Sequence, residues 1–174
     1  LDHYLNTTAQ AAHLIVVRLL GSRGHWSYGL EQLQRWCSEA KQRQLIVLAG
    51  TADQSNELHG LGSCSPELAD QLSALLREGG IDNMGLFLGA LKALLEGTPP
   101  SPDSVAVVPC PDPLPWDWRD EAGAAVGVVL YRAQFQAGDL ALADALTAAL
   151  RKEGLRPCLL WVSSLRNTAV QAGV

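Results

Sequence analysis

The sequence has no apolar run near the length of about 20 residues that a membrane-spanning helix needs, so we predict no membrane span. Charged residues are 18% of the 174 residues, below the roughly 25% of typical soluble domains. The four cysteines lie far apart and form no C-x-x-C pair, which indicates reduced thiols. The polar segment 1–12 lacks the apolar core of a signal peptide. We therefore expect a cytoplasmic protein.

Several nucleotide and nucleic-acid signatures are also missing. Gly21, Gly24 and Gly29 do not form the G-x-G-x-x-G of a dinucleotide site, and no Gly-Lys-Ser/Thr ending of a P-loop occurs anywhere. The formal net charge of -5 argues against a nucleic-acid binder, which needs a basic stripe. We expect no bound cofactor in this chain, and we expect ATP and NAD titrations to show no binding.

Signatures of catalytic and metal sites are missing too. Ser163 and Ser164 end a predicted strand without a G-x-S-x-G motif, so we expect them to cap a helix near Leu165. His59 and Cys64 are one loosely spaced pair, short of the three or four convergent ligands of a metal site. We interpret both as solvated loop residues and predict neither a catalytic nor a metal-ligating residue.

What the sequence does contain is a strand, a glycine loop and a helix start between Leu14 and Leu30. An apolar, β-branched run at about 13–20 predicts a strand, and the apolar spacing over 28–43 predicts an amphipathic helix. A second apolar run at 45–48 is typical of a strand covered on both faces. Together they predict a right-handed βαβ unit.

The middle of the chain predicts a helical hairpin. Ser65 and Pro66 open its first helix, and Gly79-Gly80 end it. Asp82 caps the second helix, which stops at Gly97. The residues expected to face inward from this second helix are Met84, Phe87, Leu88, Leu91 and Leu95.

Proline is dense after the hairpin and predicts extended structure, with a short edge strand at 105–108. A second βαβ unit follows, with strands at 125–131 and 158–163 around a helix at 139–152. We therefore predict an α/β fold with two βαβ-type units, mainly parallel strands and flanking helices. The predicted divisions are 1–97 for the first unit plus hairpin, 98–118 for the proline-rich crossover and 119–174 for the second unit.

Ligands usually bind at loops that leave the carboxyl ends of strands in open α/β sheets. The candidate contact residues at the first such loop are Arg18, Arg23, His25, Trp26 and Tyr28. The alternative is a tight turn with Trp26 and Tyr28 packed beneath it. Trp116 and Trp118 present a similar choice, between an interface and a cover for the apolar edge of this domain.

Several short segments, taken in order, resemble the large subunit of aerobic cobaltochelatase (the CobN family), which is akin to the magnesium chelatase large subunit. They are Val17-Arg18-Leu19-Leu20-Gly21 with Trp26-Ser27-Tyr28-Gly29; Gly50, Asp53, Glu57-Leu58 and Ser63; Gly79-Gly80 with Asn83; Tyr131-Arg132; and Ser163-Ser164-Leu165. They run over nearly the whole chain. The departures are Ala49, where a proline is expected, and the variable stretch 22–25.

The resemblance implies an N-terminal segment of a longer subunit, which fits a chain that begins without Met. It implies a ligase forming nitrogen–metal bonds that inserts cobalt into hydrogenobyrinic acid a,c-diamide during cobalamin biosynthesis. The implied partners are the remainder of the subunit, the tetrapyrrole and AAA+ subunits that hydrolyse ATP. We expect the isolated segment to be inactive, a scaffold or lid over the macrocycle.

Three residues are expected to pair with acidic groups of a macrocycle, if the segment contacts one: Arg18, Arg23 and Arg132. Trp26 and Tyr28 are expected to stack on its face. Two alternatives stay open, a magnesium chelatase segment that takes protoporphyrin IX and a non-catalytic α/β interaction module.

Overall fold

The computed structural model of the chain describes residues 1–51, 53 and 55–173. These residues form two compact units, one of residues 1–77 and 83–107 and the other of residues 78–82 and 108–174. We call them unit 1 and unit 2. None of the described helices is long and apolar enough to cross a membrane.

Unit 1 is built on a parallel pair of strands with helices on both faces. Its elements are α1 (Asp2–Thr7), β1 (Leu14–Leu19), α2 (Ser27–Ser38), β2 (Gln44–Ala49), α3 (Ser55–Leu58), and most of α4 (Pro66–Glu78) and α5 (Ile81–Leu95). The register of β1 on β2 runs from Leu14 opposite Gln44 to Leu19 opposite Ala49. The first predicted βαβ unit is therefore confirmed, with its helix ending at Ser38 instead of residue 43.

The core of unit 1 lies on the two faces of β2, whose residues 45–49 are at most 1% exposed. On one face Leu45 and Val47 pack with Leu30 and Leu33 of α2. On the other face Ile46 and Leu48 join residues of α4 and α5. Full burial of each such side chain contributes about 1.5–3 kcal/mol. The prediction of a strand covered on both faces is confirmed.

Helix α5 buries a different side from the one predicted. Met84, Leu88 and Leu95 are 44%, 56% and 52% exposed, whereas Phe87 and Ala90 are buried. The prediction that these three residues face inward is wrong. The reason is that α5 is apolar around most of its circumference, so its periodicity does not single out the buried side.

Unit 2 holds a three-stranded sheet in the order β3-β5-β4. Its elements are β3 (Leu114–Trp116), β4 (Ala125–Tyr131), α6 (Arg132–Gln136), α7 (Ala141–Lys152), β5 (Arg156–Val162) and α8 (Thr168–Gln171). Strands β4 and β5 are parallel, which confirms the second βαβ unit, and β3 lies antiparallel to β5.

The core of unit 2 is small and aromatic. The rings of Trp116 and Phe135 meet edge to face at 5.4 Å between centroids, and Phe135 lies 6.0 Å from Trp161. Trp118 is 53% exposed, and its Nε1–H donates to the Leu159 carbonyl at 2.7 Å. The two tryptophans of the proline-rich segment thus differ, since only Trp116 joins the core.

Two local predictions in this part of the chain are wrong. Residues 105–108 form no strand: Val105 ends a 3-10 turn (Pro102–Val105) and is buried, while the strand lies at β3. Helix α8 begins at Thr168, and the side chain of Asn167, not a serine, accepts from the Ala169 N–H. Both errors arise because short turns depend on single capping bonds that hydropathy does not reveal.

Candidate functional site

The candidate contact surface is the segment 20–28, at the carboxyl end of β1. Leu20, Trp26 and Tyr28 are 72%, 37% and 54% exposed there. Such a concentration of exposed apolar and aromatic groups is typical of a binding surface. We call this segment the β1 loop.

A glycine and a histidine fix the start of the β1 loop. Gly21 has φ +107°, and a Cβ built on it would lie 2.9 Å from the His25 Nδ1. The Ser22 backbone N–H donates to the same Nδ1 at 3.1 Å. His25 Nδ1 therefore accepts a hydrogen bond within the loop, and this bond stabilises the conformation of the loop.

Trp26 lies against the first turn of α2. A Cβ at Gly29 would come within 2.0 Å of the Trp26 ring, so only glycine leaves room for the indole. The indole is thus held in place on one side and exposed on the other. A side chain fixed in this way loses little entropy when a planar ligand stacks on it.

Tyr28 is tied to the first helix of the chain. Its hydroxyl donates to Asp2, with distances of 2.8 Å to Oδ1 and 2.7 Å to Oδ2. This hydrogen bond stabilises the protonated phenol and raises the pKa of Tyr28 above its ordinary value. The ring remains exposed although the hydroxyl is engaged.

The structure does not gather all six predicted contact residues. Arg23, His25, Trp26 and Tyr28 share the β1 loop. Arg18 lies within β1 and is exposed. Because side chains alternate along a strand, Arg18 is on the same side of β1 as Leu14 and Val16. These two residues pack with α4 and α5 and not with α2.

Arg132 belongs to unit 2 and is already paired. Its Nη2 donates to Glu78 Oε1 at 3.0 Å, and its Nη1 lies 3.6 Å from Asp112 Oδ2. The Cys110 N–H donates to the same Glu78 oxygen at 2.7 Å. The Arg132 guanidinium therefore holds three separate segments of unit 2 together.

A buried polar cluster in unit 1 was missed by the sequence analysis. His59 is 2% exposed, which shows that its interpretation as a solvated loop residue is wrong. The Ala49 N–H donates to His59 Nε2 at 3.2 Å, and Ser73 Oγ lies 2.9 Å from the same nitrogen. The sequence feature that could have indicated its burial is the pair of leucines on either side of it, Leu58 and Leu61, which pack in the core of unit 1.

Asp70, His59 and Ser73 are arranged in the order of a carboxylate, an imidazole and a hydroxyl that is used in nucleophilic catalysis, but the hydroxyl is closed to solvent. Asp70 Oδ1 lies 3.8 Å from His59 Nδ1 and 3.7 Å from Arg77 Nη2. Ser73 is 0% exposed, so no substrate reaches its hydroxyl. Burial lowers the pKa of His59. The cluster's role is structural, because it satisfies the Ala49 N–H at the end of β2.

The described residues contain no group of three or more His, Cys, Asp or Glu side chains that could hold a metal ion. All four cysteines are free thiols. Burial raises the pKa of Cys64 and of Cys110, so both thiols are less reactive than an exposed cysteine.

The similarity of this sequence to known proteins extends over nearly the whole chain. It is 31% identical over 199 aligned positions to the aerobic cobaltochelatase subunit CobN of a Sinorhizobium species and 28% identical over 184 positions to that of Pseudomonas aeruginosa. Each alignment covers 99% of this chain. The chain is related to the CobN subunits. The resemblance found in the sequence is thereby confirmed.

The CobN relatives are much longer. The chain spans 15% of the length of each of the two curated CobN relatives. A solved structure, the catalytic subunit of cobaltochelatase from Mycobacterium tuberculosis, matches with a TM-score of 0.78 and 23% identity, over 99% of this chain and 14% of that chain. That likeness shows that this chain shares the fold of the matching part of that structure. No family model matches the sequence.

Proposed function

We propose that this chain is a segment of the tetrapyrrole-binding large subunit of an ATP-dependent cobaltochelatase. The subunit inserts cobalt, as a substrate, into hydrogenobyrinic acid a,c-diamide in the cytoplasm, and AAA+ partner subunits hydrolyse ATP. The observation that carries the proposal is the alignment of 99% of the chain with two CobN subunits. The solved cobaltochelatase subunit supports it through the shared fold.

Within that subunit we assign the segment a scaffold role and not the chemical step. Metal insertion needs a base for two pyrrole protons and ligands that replace water on the ion. The histidines best placed by the fold are engaged, since His59 is closed off with Ser73 and His25 Nδ1 accepts from Ser22. The reactive groups then belong to other parts of the subunit, and this segment alone is inactive.

The β1 loop is the surface that we propose for the macrocycle. The exposed rings of Trp26 and Tyr28 suit a flat tetrapyrrole face, and the exposed Arg23 suits its carboxylates. Arg18 lies within β1, on the side that faces α4 and α5, so we do not include it in this surface. Arg132 would first have to leave Glu78 and Asp112, so we leave it in its structural role.

The test is a pair of binding titrations on the whole subunit that contains this chain. We expect it to bind hydrogenobyrinic acid a,c-diamide more tightly than protoporphyrin IX, and to insert cobalt when the AAA+ subunits and ATP are added. Tighter binding of protoporphyrin IX would favour a magnesium chelatase segment. Binding of neither macrocycle would favour an interaction module.

Variants of the β1 loop test the surface itself. Loss of one aromatic contact, about 1 kcal/mol, corresponds to roughly fivefold weaker binding for Trp26→Ala. Arg23→Ala is expected to weaken binding about two- to fivefold. The controls are Trp118→Ala and Arg166→Ala, which remove exposed residues of unit 2. Unchanged affinity in both loop variants would remove the β1 loop from the substrate site.

A further inference from the structure

The first strand of unit 1 has a free edge. Strand β1 pairs with β2 on one side, and within residues 1–51, 53 and 55–173 no strand pairs with its other side. A sheet of two strands is small against the usual four to six or so, and parallel sheets are normally covered and extended.

The hydrogen bonds show which backbone groups face that free edge. The carbonyls of His13 and Leu19 accept from the N–H groups of Gln44 and Gly50, at 2.8 Å each. In a parallel ladder alternate residues bond to the same neighbour, so the odd-numbered residues of β1 point toward β2. The N–H and C=O groups of the even-numbered residues, Leu14, Val16 and Arg18, point outward.

The outer edge of β2, by contrast, is covered by its own chain. The Ser63 N–H donates to the Leu45 carbonyl at 2.7 Å, and the Leu45 N–H donates to the Ser63 hydroxyl at 2.9 Å. His59 accepts from Ala49 at the other end of the strand. One edge of the sheet is thus blocked by the segment 59–63, while the edge of β1 carries no such cover within the described chain.

An apolar groove runs beside the free edge. Its volume is about 580 Å³, and it is lined by Ala11, His13, Leu14, Val16, Leu88, Leu91, Lys92 and Leu95. Leu88, Leu91 and Leu95 recur at helical spacing on α5, so they form one row along that helix. Leu88 and Leu95 are more than half exposed, which is costly for leucines facing water.

We propose that the free edge of β1 and this groove take an extended strand from the remainder of the CobN-type large subunit. The strand hydrogen-bonds to Val16 and Arg18, and its apolar side chains, at every second position, cover Leu88, Leu91 and Leu95. Such an occupant satisfies the outward backbone groups and the exposed leucines together. Six residues of β1 accommodate a strand of about 20 Å.

The source of the strand follows from chain length, and here the proposal rests on the proposed function. This chain spans 15% of the length of its CobN relatives, so most of such a subunit lies outside it. A tethered segment of the same subunit is present at high effective concentration, unlike a free partner or a second copy.

The first test is residue-resolved hydrogen exchange on the whole large subunit. Paired edge amides exchange about 100-fold or more slowly than exposed loop amides. We expect Val16 and Arg18 to be as protected as their odd-numbered neighbours Ile15 and Val17, which bond to β2. Fast exchange of Val16 and Arg18 beside slow Ile15 and Val17 would overturn the proposal. Protection that appears only as the protein concentration rises would show a second copy and would overturn it too.

A second test uses side chains whose replacement does not threaten the core. Leu95→Glu, at 52% exposure, is expected to lower the melting temperature of the whole subunit and to release the protection of Val16. Leu142→Glu on α7, also 52% exposed, is the matched control and is expected to change neither. Equal behaviour of the two variants would refute the proposal.

These readouts do not depend on a tetrapyrrole. Failure of the corrin titration with a protected β1 edge would overturn the proposed function alone. An open edge in a subunit that binds the corrin would overturn this inference alone.

Discussion

Protonation of His59 is expected to destabilise unit 1 as the pH falls. Nε2 accepts from the Ala49 N–H, and burial lowers the pKa of the imidazole below its ordinary 6.5. Asp70 opposes this shift and Arg77 adds to it, but burial is the largest cause. The unfolded chain therefore binds a proton near pH 6.5 that the folded chain refuses, so the free energy of unfolding rises with pH in this range.

The size of the effect follows from the unfolded pKa. Between pH 7.5 and pH 5.5, protonation of an imidazole with the ordinary pKa of 6.5 stabilises the unfolded state by about 1.4 kcal/mol, which sets the upper limit of the loss. Urea unfolding of the protein at both pH values measures the loss. In His59→Gln the amide oxygen accepts from Ala49 without titrating, so that variant is expected to show a smaller pH dependence. Equal pH dependence in the two proteins would refute the assignment.

Three further outcomes are expected. Leu72→Ala in the fully buried part of α4 should lower the free energy of unfolding by about 2–5 kcal/mol in urea titration. Gly29→Ala should displace Trp26, because the new Cβ would meet the ring at 2.0 Å, and the loss of corrin binding should match that of Trp26→Ala; retained binding would contradict the packing. The hydrogen bond from Arg151 lowers the pKa of Asp117, so unit 2 should lose stability as the pH falls below about 4. Acid titration followed by circular dichroism measures this loss. The Arg151→Met variant should lose less stability over the same pH range than the unsubstituted protein.

The strand–helix–strand units could be predicted from the sequence because their signals are long and repeated. The apolar run of β2 and the residues 125–131 of β4 are short and rich in β-branched residues, which is typical of a buried or half-buried strand. The helix boundaries at Pro66 and at Gly79, which has φ +70°, follow from single residues with strong conformational preferences.

What could not be predicted depends on contacts distant in sequence. Nothing local indicates that His59 meets Ser73, or that Arg132 meets Glu78 54 positions away. Strand β3 contains a proline and only three residues, so its pairing with β5 is decided by the neighbouring sheet. The β1 loop residues were identified by their position after a strand, which indicates where ligands bind but not which side chains are already engaged.

The route of the backbone through the two units has a practical consequence. The short turn 78–82 belongs to unit 2, although the residues before and after it belong to unit 1. A shortened protein that begins after Gly97 would lack Glu78, whose carboxylate pairs with Arg132. It would also lack Gly80, whose N–H donates to the Gln136 carbonyl at 2.9 Å. Neither unit can therefore be expressed as one continuous segment of the sequence. After proteolysis between residues 98 and 118, the two fragments should remain associated, because the turn 78–82 of the first fragment packs within unit 2.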